Sequence, residues 1–175
     1  MFFILANALF DSSIAVWECK RKYDFIRPVS AIRFLFAEKK IKSWAGPGLG
    51  TKVINGQDWK SYIGTPPFPE HVSGHSTFSS ASAKVFKLFT GSDSYGDSAT
   101  VLAGSSMIEP AGTSPKKDIT LSWKTFTIAA REAGISRLYG GIHFQAANKE
   151  GYDLGQKIGE IVWEKAQRYF DGNAE

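Results

Sequence analysis

The sequence predicts an all-α helical bundle that forms a single domain over residues 1–175. Three observations support this prediction. Several stretches repeat apolar residues at the spacing of a helix face, Gly and Pro cluster between most of these stretches, and no strand pattern carries the fold. A chain of 175 residues with 43% hydrophobic and 22% charged residues is long enough for one core and too apolar for a disordered chain.

Two helices are predicted in the N-terminal part of the chain. Residues 2–23 place apolar side chains at helical spacing and contain no Pro or Gly, so they predict one long helix. Pro28 cannot continue that helix but suits the first turn of a new one, and residues 29–39 supply the amphipathic pattern. The second helix therefore follows the first at an angle.

The middle of the chain alternates irregular and helical stretches. Residues 41–75 are rich in Gly, Pro and Trp and predict a long ordered loop, a feature that often carries function. Residues 76–90 predict a third helix, because Ser or Thr can cap its start and Gly91 can end it. Residues 91–120 are polar and predict a surface excursion.

Two further helices are predicted in the C-terminal part, over residues 121–135 and 143–170. The last of them contains glycines at every fourth position, Gly151, Gly155 and Gly159. Because residues four apart share one helix face, these glycines predict close contact with another helix.

Composition excludes several classes of function. The net charge is only +4 and the basic residues are scattered, which does not favour nucleic-acid binding. Cys19 is the single cysteine, so an intramolecular disulfide and a CxxC metal site are excluded. The apolar run of residues 1–10 is shorter than the ~20 residues of a spanning helix and lacks the basic start of a signal peptide. We expect a soluble chain without a membrane span, and its location stays unknown.

Three short segments carry candidate chemistry. Lys20 and Arg27 stand seven residues apart, Ser73-Gly74-His75 precedes the third helix, and Arg137 stands six residues before His143. Taken singly, each has an ordinary explanation, such as a solvated basic patch or a structural histidine. A helix start offers unpaired N–H groups to an anion, and both His75 and His143 are predicted to lie where helix ends can face a common pocket.

These segments resemble the marker motifs of the vanadium-dependent haloperoxidases and the related phosphatidic acid phosphatase superfamily. Lys20–Pro28 is similar to KxxxxxxRP, Val72–His75 to PSGH, and Ser136–His143 to SRxxxxxH, in the same order. Val72 replaces the usual Pro and removes no functional group. The resemblance implies an all-helical fold of the acid phosphatase and vanadium-dependent haloperoxidase type, here lacking the N-terminal helices of that family.

The resemblance also implies roles for individual residues. His143 is implied to be the vanadium ligand in a haloperoxidase or the nucleophile in a phosphatase, and His75 the acid–base group. The implied cofactor is vanadate, with phosphate able to occupy the same site. The implied oxyanion-binding residues are Lys20, Arg27, Ser73, Gly74 and Arg137.

Other side chains near the motifs have open roles. By the resemblance, Trp17 and Phe68 line a halide pocket, and either is equally well explained as ordinary core. Three carboxylates are candidates to orient a histidine or pair with an arginine, with a solvated surface position as the alternative for each: Asp24, Glu70 and Glu132. His71 is interpreted as a solvent-facing or supporting residue rather than a ligand.

Three functions follow from these interpretations. The leading hypothesis is a haloperoxidase that oxidises halide with hydrogen peroxide. The alternative is an acid phosphatase that hydrolyses phosphate monoesters through a phosphohistidine. The third is a catalytically silent oxyanion-binding fragment that needs a partner, either a second copy or the remainder of a longer chain. Residues 46–52 are not a phosphate loop, because Gly-Thr-Lys is not the required order and no strand pattern precedes them.

Overall fold

The structure is a computed structural model that describes residues 1–173, and this part of the chain contains five α-helices, two β-hairpins and one short 3₁₀ turn. The helices are α1 (Phe2–Tyr23), α2 (Pro28–Leu35), α3 (Gly74–Thr90), α4 (Phe126–Tyr139) and α5 (Gln145–Phe170). The strands are β1 (Lys40–Trp44), β2 (Thr51–Asn55), β3 (Ser94–Val101) and β4 (Ile119–Thr125), and Gly56–Asp58 forms the 3₁₀ turn.

Helix α3 is the centre of the bundle and packs against α1, α4 and α5, while α1 also packs against α5. A hydrophobic cluster of buried side chains lies where α1 begins and α3 and α5 end, formed by Ile4, Ala8, Val85, Val162 and Ala166. The opposite end of the bundle therefore holds the end of α1 and the starts of α3 and α5. These are the segments that carry the three motifs.

Glycines on α5 allow its backbone to approach α3 closely. A Cβ atom on Gly151 would lie 2.7 Å from the Ser73 carbonyl oxygen, and one on Gly159 would lie 2.8 Å from that of Ala81. Gly155 has equally little room against α3. The close helix contact predicted from the spacing of these glycines is made with α3.

The two hairpins correct the prediction that the fold is all-α. Strands β1 and β2 pair antiparallel inside the stretch predicted to be a loop, and β3 and β4 pair antiparallel across the stretch predicted to be a surface excursion. The β1–β2 connection contains Gly46, Gly48 and Gly50 with φ of 120°, 71° and 62°. Such angles favour Gly, so the Gly-rich composition that indicated a loop also permits this hairpin.

The predicted boundaries of α2 and α4 were wrong by four or five residues, and α3 and α5 begin at Gly74 and Gln145 rather than at residues 76 and 143. Helix α4 begins at Phe126 rather than at residue 121, because residues 119–125 alternate apolar and polar side chains and form strand β4. The Thr125 hydroxyl then caps the helix by accepting a hydrogen bond from Ile128 N at 3.0 Å. Helix α2 ends at Leu35 rather than at residue 39. Gly56 packs against the backbone of Phe36, the first residue after the helix. In contrast, α1 has the predicted bounds of residues 2–23.

Helix α1 has apolar side chains on two opposite faces. One face enters the bundle through Ile4, Ala8 and Val16. The opposite face, here called the outer face of α1, is exposed and is formed by side chains at helical spacing with exposures between 51% and 64%: Phe3, Phe10, Ile14 and Trp17. All four stay more than half exposed, although the Phe3 ring lies 6.5 Å from that of Phe170 and the Trp17 ring lies 5.1 Å from that of Phe68.

The stretch Phe2–Leu35 is long and apolar enough to meet a membrane-helix criterion, with a mean hydropathy of 1.3 over its most apolar window. Core helices of soluble proteins and signal sequences meet the same criterion, and 22% of this window is buried. Helix α1 ends at Asp24, whose φ of 40° is left-handed, and it directs the buried Lys20 ammonium into the bundle. This stretch therefore does not show a membrane span.

Candidate oxyanion-binding site

His143 lies at the start of α5 and is only 7% exposed. Its ring Nδ1 lies 2.6 Å from Glu70 Oε1, and its Nε2 lies 3.1 Å from Arg27 Nη1. Because a guanidinium N–H can only donate, Nε2 must accept, and the ring proton must lie on Nδ1, where it is donated to the carboxylate. Burial lowers the pKa of His143, opposed by the hydrogen bond with Glu70. The neutral ring thus presents an unprotonated Nε2.

The backbone before α5 brings His143 to this position. Gly141 has a φ of 75°, which favours Gly, and a Cβ atom on Gly140 would lie 2.5 Å from the Ile63 side chain. The turn is closed by hydrogen bonds from Gly141 N to Leu138 O at 2.9 Å and from Ile142 N to Arg137 O at 3.2 Å. The Gly-Gly pair therefore connects the end of α4 to His143 through a tight turn.

Among the three candidate carboxylates, Glu70 is the one beside a site histidine. It is 1% exposed, and its Oε1 also accepts from Phe144 N at 2.8 Å. Glu132 accepts from Trp123 Nε1 at 2.7 Å, and Asp24 is exposed at the end of α1. No sequence pattern distinguished Glu70 from the other two, because its contact with His143 joins residues 73 positions apart.

Lys20 lies at the end of α1 and is 2% exposed. Its Nζ donates to the carbonyl oxygens of Pro69 at 2.8 Å, Glu70 at 3.2 Å and Val72 at 2.9 Å. Burial, followed by the nearby Arg27 charge, lowers its pKa to about 8. All three ammonium protons therefore have acceptors, and Lys20 anchors the loop that leads into α3.

Arg27 precedes α2 and also binds this loop. Its Nε donates to Phe68 O at 2.9 Å, Nη2 to Pro69 O at 3.3 Å, and Nη1 to Ile142 O at 2.9 Å. The contacts with carbonyl oxygens from two separate loops hold the guanidinium against His143. Sequence reasoning predicted the cations but missed these carbonyls, since backbone groups leave no signal in side-chain motifs.

Ser73, Gly74 and His75 form the start of α3. The Ser73 side chain caps the helix by accepting from Ser76 N at 3.4 Å, and its backbone N donates to Ala147 O at 3.1 Å. His75 is exposed, and its pKa is lowered first by burial of part of its ring and then by the charges of Arg137 and His143. The charges of Arg137 and His143 thus both act against protonation of His75.

Arg137 lies in the last turn of α4, where its Nε donates to Ser136 Oγ at 3.0 Å. It is half-buried. Both Arg27 and Lys20 affect His143 electrostatically, and Arg137 and His143 affect His75. The fold thus brings the residues of all three motifs to one end of the bundle.

Trp17 and Phe68 contact each other beside these cations. Their ring centroids are 5.1 Å apart, and they are 51% and 36% exposed, so neither is a core side chain. Lys20 Nζ and Arg27 Cζ lie 5.1 Å and 5.0 Å from the Phe68 centroid, within reach of a cation–π interaction. A role for the two rings in halide binding stays a prediction.

His71 lies outside this cluster. Its Nε2 is 3.4 Å from Glu150 Oε2, and its ring packs edge-on against Tyr23 at 5.2 Å. These contacts link α1 to the start of α5. The interpretation of His71 as a supporting residue agrees with this position.

The donor set suits an oxyanion better than a bare metal ion. Across residues 1–173, no group of three or more His, Cys, Asp or Glu side chains could hold a metal ion. Vanadate instead needs one nitrogen ligand and several cationic or N–H donors around its oxygens. His143 Nε2 is an unprotonated nitrogen facing Arg27, and Ser73 and Gly74 stand at a helix start. These residues fit vanadate or phosphate.

The fold and this site define a helical-bundle domain in which a buried histidine lies against an arginine and near the start of a helix. The chain belongs to the vanadium chloroperoxidase family: the model described as "VCPO second helical-bundle domain" matches residues 1–172. This family membership confirms the resemblance identified from the three motifs.

Solved structures of vanadium-dependent peroxidases are similar to the chain. The holo-type and apo-type bacterial vanadium-dependent chloroperoxidases each superpose with a TM-score of 0.87 at 35% identity over 92% of this chain. The match covers 34% of the holo-type chain and 35% of the apo-type chain. A bacterial vanadium-dependent iodoperoxidase superposes with a TM-score of 0.64 at 30% identity, over 92% of this chain and 32% of its own.

The chain therefore spans about a third of the length of these solved relatives. No curated protein sequence matches it.

Proposed function

We propose that the chain is the vanadate-binding part of a vanadium-dependent haloperoxidase, which oxidises halide with hydrogen peroxide. The observation that carries this proposal is the His143 ring, whose Nε2 is unprotonated and faces Arg27 while Nδ1 is held by Glu70. The similarity to bacterial vanadium-dependent chloroperoxidases at 35% identity supports the same assignment.

In this proposal, His143 Nε2 holds vanadate, which supplies Lewis-acid activation of peroxide without a change of oxidation state. Arg27 and Arg137 bind the oxygens, and Ser73 and the Gly74 amide add hydrogen bonds. Arg27 Nη1, which lies 3.1 Å from His143 Nε2, would be within reach of an anion held at that nitrogen. Lys20 contributes its charge and holds the loop through the three carbonyls that it already binds.

His75 accepts the proton of incoming peroxide in this proposal. Its lowered pKa keeps the ring neutral near neutral pH, which a base requires. The influence of Arg137 and His143 on its pKa supports assigning it to the same site as the ligand nitrogen. Trp17 contacts Phe68, which lies against Lys20 and Arg27, and in this proposal a polarisable halide binds at these two exposed rings.

Halogenation of an organic dye tests the proposal directly. Protein titrated with orthovanadate is assayed with hydrogen peroxide and chloride, bromide or iodide, and we expect turnover that His143→Ala abolishes. His71→Ala is the matched control, because His71 contacts Glu150 away from the site and should retain activity. Halogenation no faster than in buffer, together with cleavage of a phosphomonoester that vanadate inhibits, would establish the acid phosphatase instead.

The third hypothesis, a part that needs a partner, is favoured by the outer face of α1. Its exposed side chains include Phe3 and Phe10, which are 63% and 64% exposed. The matched family is described as a second helical bundle, and the solved relatives are about three times as long. We propose that a further helical bundle of a longer polypeptide covers this face in the working protein.

Dye binding and light scattering test this proposal on the chain alone. We expect a monomer that binds a hydrophobic dye, and we expect Phe3→Ser with Phe10→Ser to reduce that binding without lowering the melting temperature. A dimer that dissociates when these two residues are replaced would show that a second copy, rather than another bundle, covers the face.

A further inference from the structure

Glu70 is a fully buried carboxylate to which the proposed chemistry assigns no step. Its side chain is 2% exposed and meets two donors through the same oxygen, Oε1. These donors are His143 Nδ1 at 2.6 Å and Phe144 N at 2.8 Å. A buried carboxylate is costly unless such hydrogen bonds compensate it, so its presence here requires a reason.

We propose that Glu70 is a positioning residue that holds the His143 ring in the tautomer with the proton on Nδ1, so that the Nε2 lone pair points at the oxyanion. The consequence for vanadate rests on the proposed function, whereas the tautomer itself does not.

The two contacts of the ring agree on one proton position. Arg27 Nη1 can only donate, so it requires a bare Nε2, and an ionised Glu70 can only accept, so it requires a proton on Nδ1. If the proton were on Nε2, two N–H donors, those of Nε2 and Arg27 Nη1, would point at each other. The Glu70 carboxylate would also lose one of its two donors. The opposite tautomer is therefore disfavoured at both nitrogens.

The carboxylate can impose this state because its own backbone is fixed. Glu70 N donates to Phe25 O at 2.8 Å, and Glu70 O accepts from Lys20 Nζ at 3.2 Å. Glu70 thus joins the segment before α2, the end of α1 and the start of α5. Phe144 N, one residue after His143, holds Oε1 in place and prevents the carboxylate from following a rotating ring.

The proposal predicts a graded effect of substitution. Glu70→Gln keeps an amide oxygen that can accept from both donors but loses the negative charge, while Glu70→Ala leaves Nδ1 and Phe144 N without an acceptor. Removing a residue that supports a metal ligand typically costs 10–100-fold in affinity. We expect a loss of vanadate affinity in that range for Glu70→Ala and a smaller loss for Glu70→Gln.

Nitrogen-15 NMR of the vanadate-free chain tests the tautomer without any activity measurement. We expect the His143 signals of the wild type to show a protonated Nδ1 and a bare Nε2, assigned by their absence in His143→Ala. We expect Glu70→Gln to keep this pattern and Glu70→Ala to lose it, giving exchange between tautomers. A wild-type ring with its proton on Nε2 would overturn the proposal, and this outcome does not depend on the folding of either Glu70 variant.

Calorimetric titration with orthovanadate tests the consequence. Glu132→Ala is the matched control, because Glu132 also binds a ring N–H, that of Trp123 at 2.7 Å, but lies away from His143. An equal loss of affinity in Glu70→Ala and Glu132→Ala would contradict a specific positioning role. If the wild type has the expected tautomer but binds no vanadate, the proposed function fails while the tautomer assignment stands.

Discussion

Adding one methyl group at Gly151 should weaken both the bundle and the oxyanion site, because this glycine is where α5 touches the start of α3. A Cβ atom there would lie 2.7 Å from Ser73 O, 3.1 Å from Thr77 Oγ1 and 3.3 Å from Ser73 N. Real Cβ contacts essentially never fall under 3.0 Å, and ordinary contact begins at 3.4 Å. The Ser73 peptide must therefore retreat by about 0.3–0.7 Å in Gly151→Ala.

The expected loss of stability follows from the cost of overpacking. An extra methyl group in a packed interior costs about 1–3 kcal/mol. For a chain of this size each kcal/mol lowers the melting temperature by about 2–4 °C, so the expected decrease is about 2–12 °C. A misplacement of 1 Å at an active site costs roughly 100-fold in rate, so, scaled in the same way, a shift of the Ser73 peptide by about 0.3–0.7 Å should weaken vanadate binding about 4- to 25-fold.

Gly159→Ala separates the two effects. Its Cβ would lie 2.8 Å from Ala81 O, a nearly identical conflict two turns further along the same pair of helices and away from the site. We expect a similar loss of melting temperature with unchanged vanadate affinity, measured by thermal denaturation and calorimetric titration. The reasoning is refuted if Gly151→Ala leaves both quantities at their wild-type values, or if Gly159→Ala weakens vanadate binding as much as Gly151→Ala does.

Further predictions concern ligand, pH and two single residues. Orthovanadate at 100 times its Kd should stabilise the chain by about 2.7 kcal/mol, raising the melting temperature by about 5–11 °C, and an unchanged melt would argue against a site. The pKa of His75 and that of His143 are below 6.5 in the folded state, so the unfolded chain binds more protons below that pH. The free energy of unfolding should therefore fall as pH drops below 6.5, and His75→Gln should reduce this slope in denaturant titrations. Lys20→Met should cost about 2–6 kcal/mol because it leaves the carbonyls of Glu70 and Val72 without a donor, while Pro69 O keeps its bond from Arg27 Nη2, and a melt within 2 °C of wild type would contradict the anchoring role. Phe10→Ser should change stability by no more than about 0.5 kcal/mol, since a large loss would mean that the outer face of α1 is packed.

The sequence predicted the helices best where local chemistry decides the structure. The uninterrupted apolar pattern of residues 2–23 yields α1 with the predicted bounds, and Gly91 ends α3 in the left-handed conformation. The hairpins were missed because the glycines that permit the β1–β2 turn indicate a loop equally well. Strand β4 is followed directly by α4, and the predicted helix of residues 121–135 therefore included most of the strand.

The candidate site was predicted in its side chains and missed in its backbone. The order of the three motifs identified Lys20, Arg27 and His143, which the structure brings to one place. The selection of Glu70 over two other carboxylates depends on a contact across 73 positions, and pairings of that range follow from packing rather than from spacing along the chain. The spacing of Lys20 and Arg27 in the sequence likewise does not indicate that their hydrogen-bond partners are backbone carbonyl oxygens.

The carbonyls that hold Lys20 and Arg27 have a consequence for how this loop can vary during evolution. The two cations bind the peptide oxygens of Phe68, Pro69, Glu70 and Val72, and a peptide oxygen is present whatever the side chain. Replacement of a side chain at 69 or 72 can therefore keep these bonds, whereas insertion or deletion of one residue would move several oxygens out of register at once. In this part of the chain, natural selection should conserve the length of the loop more strictly than the identity of most of its side chains.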